Sequence, residues 1–312
     1  MLALLEHAFR MLRRFVHLVL PHGSSPESYR QLMRALEKRL VYDSRTQTVT
    51  VKKGELAGMR KYGPFCEADF EFVLGRYEPE VTAALHLHCR PGMTVFDIGA
   101  SAGHHTVLLS RLCGPSGHVH AFEPLPENVA CLLETLRINN LQNVTVHQLA
   151  VSGTEGEAEF RFSGVFDGFA CLAQGGHGRS GGQATASISV RTIDLDTFCG
   201  KYAIPRVDLI KMDIEGAEML ALRGMTRVLH THRPVLIVEL WGSEHMAAGP
   251  EFLGRFGYET HPLGVWRGLV QGAFAEVSNV LAVPSAKPER IHLPSSEGAS
   301  SAEKFAWRGS YL

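Results

Sequence analysis

The stretch VFDIGASAGHHT, residues 95–106, decides how this chain is read. An apolar run stops at an acid, Asp97, then turns through Gly99 and Gly103 into a pair of histidines, His104 and His105. The run itself, MTVFDI, has the composition of a buried strand, and HTVLLSRLC beyond it reads as a helix. A strand, a glycine turn and a helix in that order put the turn at the strand's carboxyl end. In an open parallel sheet, ligands bind in that crevice. Glycine there permits unusual backbone angles and leaves room for a ligand, and the first turn of the helix presents free N–H groups.

Working outward, the same alternation repeats. YEPEVTAALHLHC precedes the stretch as a helix ending at Pro91-Gly92. GHVHAFEP is a second strand, PENVACLLETLRINN a second helix and VTVHQLAVS a third strand. After a pair of antiparallel strands, GEAEFRF and ASISVRTI, come the short helix DLDTFCGKY and a fourth strand, VDLIKMD. A helix expected to break at Gly224 follows, then a fifth strand, PVLIVEL. GYETHPL and SNVLAVP read as a closing antiparallel pair at the sheet edge. Short apolar strands alternating with helices indicate an α/β, Rossmann-like protein with a mostly parallel sheet covered on both faces. The expected organisation is an N-terminal helical and hairpin extension over 1–74, a main domain over 75–284 and a loose tail over 285–312. A Gly-rich insertion at about 163–187 is expected to be mobile.

Composition narrows the partners. The chain has 312 residues, 45% hydrophobic, with a net charge of -1, so nucleic acid is not the expected partner. The six cysteines form no CxxC pair and no zinc spacing, which suggests reduced thiols in a cytoplasmic protein. The first twenty residues place charge at helical spacing among apolar runs too short to span a bilayer. They read as a helix docking on the domain or on a second copy in a homo-oligomer, with contact to a membrane surface as the sharper alternative.

The loop's chemistry favours one kind of ligand. A dinucleotide loop reads GxGxxG, whereas here the spacing is GxxxG and an acid stands at the entrance. A carboxylate there repels a diphosphate and suits a ligand carrying positive charge, such as S-adenosylmethionine. Glu123, at the tip of the second strand, can accept both hydroxyls of a ribose. Alternatively, Asp97 caps the next helix and Glu123 is a solvated strand end.

With these residues in place, the sequence resembles the FkbM family of class I S-adenosylmethionine-dependent methyltransferases. The likeness is carried by VFDIGASAGHHT, HAFEPLPENVACLLETLRINNLQNVTVHQLAVS, VRTIDLDTF, VDLIKMDIEGAEMLALRGM and PVLIVEL, within residues 77–284. The resemblance implies a seven-stranded sheet and methyl transfer, usually to oxygen, often on sugars or secondary metabolites. By position, Asp97, Gly99, Ala100 and Gly103 would form the cofactor loop, and Glu123 with Pro124 would hold the ribose. Asn128, Ala150 and Val151 would flank the adenine, and Asp213 would face the methyl-transfer side. His104 departs from the family pattern.

Methyl transfer to an alcohol needs an aligned acceptor and a place for its proton. Asp213 ends the fourth strand and Glu239 lies near the end of the fifth, so the two are expected to be neighbours. They are open to three readings: a general base paired with a second acid, a ligand pair for a divalent metal such as Mg²⁺, or structural groups. His104 is a further base candidate, with His105 and His245 beside it, and packing is the alternative for each. The expected acceptor is a small molecule or carbohydrate. A non-catalytic S-adenosylmethionine-binding protein and a nicotinamide-dependent oxidoreductase are the competing classes.

Overall fold

A computed structural model describes Met11 and residues 35–66, 68–162, 170–173, 186–270 and 273–285, without the side chains of 266–276. The docking helix expected over the first twenty residues, most of the Gly-rich insertion and the tail beyond Ser285 lie outside the described residues.

Residues 35–41 are helical and lead into a small antiparallel sheet of β1 (Tyr42–Asp43), β2 (Thr48–Thr50) and β3 (Arg60–Tyr62). Helices α1 (Ala68–Val73) and α2 (Pro79–His88) follow. The alternating core then runs β4 (Thr94–Ile98), α3 (His104–Cys113), β5 (His118–Phe122), α4 (Pro126–Ile138) and β6 (Val144–His147). A second sheet is built from β7 (Ala150–Val151), β8 (Gly156–Phe162), β9 (Cys171–Leu172) and β10 (Ala186–Ile193). The chain returns through α5 (Leu195–Lys201), β11 (Leu209–Met212), α6 (Glu218–Arg223), α7 (Thr226–Thr231) and β12 (Val235–Trp241). It closes with α8 (Gly242–Gly254), β13 (Tyr258–Val270) and β14 (Ala273–Pro284).

The main sheet has seven strands in the order β13-β14-β12-β11-β4-β5-β6. The five strands from β12 to β6 are parallel, and β14 and β13 are antiparallel. Strand alternation sorts its two faces. Phe96, Ile98, Ile210, Met212, Leu236 and Val238 pack with Phe198 of α5 and Leu222 of α6. Val95, Val119, Leu209 and Ile237 pack on the other face with Leu85 of α2 and Leu109 of α3. The break expected at Gly224 separates α6 from α7.

One strand differs from the sequence reading. The third strand leaves the main sheet after His147, and Ala150–Val151 pairs instead with β10, in parallel. The described part of the insertion is also ordered into the fold, because Cys171 and Leu172 pair with Arg161 and Phe160. Among the described residues the cysteines form no disulfide, and no helix is long and apolar enough to cross a membrane.

Candidate active site

Strand period and register build the site. Residues two apart along a strand share a face, so Asp97 follows Val95, Lys211 and Asp213 follow Leu209, and Glu239 follows Ile237. Lys211 lies opposite Asp97 and Ile237, and Met212 opposite Val238, so Asp213 and Glu239 are adjacent at the carboxyl ends of β11 and β12. The apolar face beneath α2 and α3 thus becomes a charged one at its upper end. Above it opens a cavity of about 1350 Å³. Gly99, Glu123, Asn128, Ala150, Lys211, Asp213, Glu239 and Trp241 all line it.

The glycine loop is held from both sides. The N–H groups of Gly99 and Ala100 both donate to the Phe122 carbonyl, at 3.0 Å each. Gly99 has φ 82°, and a Cβ there would lie 1.8 Å from the Asp213 carbonyl oxygen. Its missing side chain makes room for the neighbouring strand's backbone, not for a ligand as the loop sequence suggested. Gly103, with φ 97°, caps α3, and a Cβ there would press on Leu132 of α4. It does not line the cavity. Gly99 thus borders the cavity with its backbone, and Gly103 shapes the loop from behind.

Glu123 is in the expected place. Its Oε2 accepts from the Ser101 N–H at 2.9 Å, and its Oε1 accepts from the Leu125 N–H at 3.0 Å and the Asn128 amide at 3.2 Å. Burial raises its pKa to about 7 against these three donors. Asn128 Oδ1 is buried without a hydrogen-bond partner beside it. Ala100, Pro124, Ala150 and Val151 complete this end of the wall.

Asp97 sits apart from the cavity wall. It is fully buried, although the loop pattern had placed it facing a ligand's positive charge. Its Oδ2 accepts from the Thr106 hydroxyl at 2.6 Å, and its Oδ1 has no hydrogen-bond partner. The β4 side chain at this register points beneath α3, so the carboxylate sits behind the loop.

His104 lines the cavity, but its ring nitrogen is engaged behind the wall. Its Nε2 lies 3.0 Å from Asp69 Oδ1, and Asp69 also takes the Lys61 ammonium at 2.7 Å. Burial disfavours the Asp69 charge, yet the His104 bond and Lys61 hold its pKa down at about 2. Cys66, Asp69 and His104 have the spacing of a metal site, but Lys61 already supplies the cation there. His245, on α8, does not line the cavity.

At the far end the charges crowd around one lysine. Lys211 is 4% exposed, and its Nζ lies 3.3 Å from Asp213 Oδ2. Burial opposes its charge, but Asp213, Asp97, Glu78 and Glu239 together keep it protonated. Burial also disfavours the Asp213 charge, and Lys211 with a hydrogen bond from Glu239 more than offsets this, so Asp213 stays ionised. Glu239 is pushed well up by burial and by the Asp213 and Glu215 carboxylates. The pair therefore shares one proton, carried by Glu239. The Trp241 indole donates to Glu239 Oε2 at 2.8 Å, which fixes its orientation. Glu218, in the first turn of α6, closes the turn before that helix by accepting from the N–H groups of Ile214 and Gly216.

The sequence reading passed over Lys211 and Glu78. The signal for Lys211 was present, since a lysine inside an apolar parallel strand is buried and needs a charged partner. Glu78 is brought to the wall only by the packing of α2.

A parallel five-strand core with a reversed hairpin at one edge, a glycine loop after its central strand and an acid at the next strand tip define the class I methyltransferase architecture. Residues 97–259 match the family model described as the methyltransferase FkbM domain, and the chain belongs to that family. It is 27% identical over 164 residues to the hexuronic acid methyltransferase AglP of Haloferax volcanii, a match covering 52% of this chain and 62% of that protein. It is 36% identical over 73 residues to a protein-L-isoaspartate O-methyltransferase of Methanothrix thermoacetophila, covering 23% and 34%. The chain thus spans less than two thirds of either relative. A solved structure of an FkbM methyltransferase from Methylobacillus flagellatus is 19% identical, covers 67% of this chain and 53% of its own, and has a TM-score of 0.40.

Proposed function

We propose that this protein transfers a methyl group from S-adenosylmethionine to a hydroxyl oxygen of a sugar or similar small molecule. The observation that carries the reading is the continuity of one cavity from Glu123 to the Asp213–Glu239 pair. The nucleoside end fits the cofactor on chemical grounds: Glu123 offers a carboxylate to a ribose diol, and the orphaned Asn128 Oδ1 suits an amino group on a purine. Ala100, Ala150 and Val151 leave flat apolar surface between them. When bound, the cofactor supplies an electrophilic methyl group on a sulfonium.

The chain's own residues then have distinct roles. Asp213, ionised beside Lys211, accepts the hydrogen of the acceptor hydroxyl and so points its lone pair into the cavity. Glu239, carrying the shared proton and held by Trp241, keeps Asp213 fixed. An oxygen under methylation becomes strongly acidic, so even a carboxylate of low pKa suffices to take its proton. The hexuronic acid relative supports a sugar acceptor, and the carboxylates along the wall argue against a nucleic acid acceptor. His104 has no part in this scheme.

A divalent ion held by Asp213, Glu215 and Glu239 is the second reading, favoured by carboxylate oxygens that lie within 4.8 Å of one another. Lys211 already provides positive charge there, and the relatives lend a metal no support.

The test is a panel of sugars and small alcohols incubated with methyl-labelled S-adenosylmethionine, with and without a chelator. Labelled ether product that is insensitive to the chelator is expected. Asp213→Asn should then lose about a hundredfold in turnover while keeping nucleoside affinity within about threefold. Full turnover in that variant removes Asp213 from the chemistry, and activity abolished by chelation and restored by Mg²⁺ favours the metal.

A further inference from the structure

Methyl transfer through Asp213 and Glu239 makes no use of Tyr77, Glu78 and His105, although all three line the cavity. Glu78 precedes α2 and adopts φ 39° and ψ 69°, a left-handed conformation that its side chain disfavours. The following Pro79 disfavours it further. The surroundings hold it there, because its carbonyl accepts from the Thr82 N–H at 2.8 Å and the Thr82 hydroxyl donates to the Tyr77 carbonyl. The result is a carboxylate directed at the start of α3.

What it meets there is incomplete. His105 Nε2 lies 3.6 Å from Glu78 Oε2, too far for a hydrogen bond. That nitrogen has no hydrogen-bond partner although the residue is only 5% exposed. Burial and the Lys211 charge keep the ring neutral. The Tyr77 ring packs against it, with centroids 5.1 Å apart. Burial and the nearby Asp213 charge also raise the Glu78 pKa to about 7. The wall therefore presents a carboxylate that already accepts from the Tyr77 hydroxyl and keeps further lone pairs, beside an unpartnered imidazole nitrogen.

With the proton of the neutral ring on Nδ1, His105 Nε2 is an acceptor, and it and Glu78 Oε2, 3.6 Å apart, can both bond one nitrogen that carries several N–H groups. An ammonium brings three donors and no acceptor, and its charge relieves the crowding of Glu78 against Asp213. A carboxylate ligand meets repulsion at the same place. We propose that Glu78 and His105 Nε2 form a receptor for a primary ammonium group. It takes over the part that the loop sequence suggested for Asp97. Two sources share this chemistry, the α-amino group of the cofactor and an amino group on the acceptor, and the first rests on the reading of the cleft as a cofactor site.

Calorimetric titration separates them, using S-adenosylhomocysteine and 5′-methylthioadenosine, which shares the thioether nucleoside but lacks the amino acid. Glu78→Gln is near-isosteric, and His105→Phe keeps a ring while removing the nitrogen. If the cofactor is the source, Glu78→Gln weakens S-adenosylhomocysteine by about tenfold and His105→Phe by about threefold, with 5′-methylthioadenosine unchanged. If the acceptor is the source, both nucleosides bind the variants normally. Saturation-transfer NMR on the nucleoside-loaded protein then shows D-glucosamine favoured over D-glucose in the wild type and not in Glu78→Gln. The receptor is overturned if neither arm shows a loss, or if both nucleosides weaken equally. A wild-type protein that binds neither nucleoside sinks the cofactor reading instead, and the same glucosamine comparison made on the protein alone then tests the receptor.

Discussion

At the nucleoside end of the cleft, one carboxylate, Glu123, receives three N–H donors from Ser101, Leu125 and Asn128. At the other end, one ammonium, Lys211, serves Asp97, Asp213, Glu78 and Glu239. The first end offsets part of that charge with two backbone N–H groups and one side-chain amide, and these partners are in place before any ligand arrives. The second carries more negative charge than its single lysine balances, and burial with that repulsion raises the pKa of both Glu78 and Glu239. On the proposed reading, the first end grips a neutral nucleoside. The other is built to favour positive charge, including the charge that a sulfonium carries.

Gly99 is where the two ends meet, and changing it should break both. A Cβ at this position would meet the Asp213 carbonyl, which is backbone and cannot swing aside. Gly99→Ala should therefore push β4 from β11, destabilise the fold by roughly 3–5 kcal/mol and abolish nucleoside binding. Thermal melts and S-adenosylhomocysteine titration check this. A variant that melts like the wild type and binds normally would show that the loop has room the geometry denies it.

The uneven legibility of the site follows from the same contrast. Period and composition located the five parallel strands, the closing hairpin and the break at Gly224, because each is a local pattern. Glu123 was readable because a strand tip next to a glycine loop leaves an acid little choice of direction. Asp97 shares its face of the sheet with Lys211 and Asp213, but its place in the strand does not reveal that α3 covers it there, with Thr106 donating to it. Glu78 and His105 come from separate helices, and their approach depends on how α2 packs beside α3. The departure of Ala150–Val151 into a second sheet was also hidden, since its partner β10 lies more than thirty residues on and the pairing is set by tertiary contacts.

Glu123 offers a smaller and cleaner test of the nucleoside end. Glu123→Gln keeps the shape but loses the charge, and it should weaken 5′-methylthioadenosine by about tenfold. A pH dependence should accompany it in the wild type. Burial raises the Glu123 pKa to about 7, and the ionised form accepts the ribose hydroxyls, so affinity should rise from pH 6 to pH 8. Stability should move the opposite way. A folded pKa above the unfolded value means the folded state binds more protons, so this group's contribution falls as pH rises from about 4.5 to 7. The variant should flatten both trends. Affinity that is level across this range in the wild type would mean that Glu123 does not hold the ligand through its charge.

The smallest effect on binding is expected at Asp97, and it separates the two ends from what lies behind them. If Asp97 met the ligand's charge, its loss would cost about as much as that of Glu78. The structure instead buries it under α3, where Thr106 donates to one oxygen and the other has no partner. Asp97→Asn keeps an oxygen for Thr106 and removes a charge whose burial raises its pKa. Lys211 loses one of its four neighbouring acids but keeps Asp213 as its contact. S-adenosylhomocysteine affinity should therefore stay within about threefold of wild type, while stability falls by roughly 1–3 kcal/mol, because the amide nitrogen that replaces Oδ1 finds no hydrogen-bond partner there. A tenfold loss of affinity at unchanged stability would move Asp97 back to the ligand, and with it the centre of positive-charge recognition from α2 to the glycine loop.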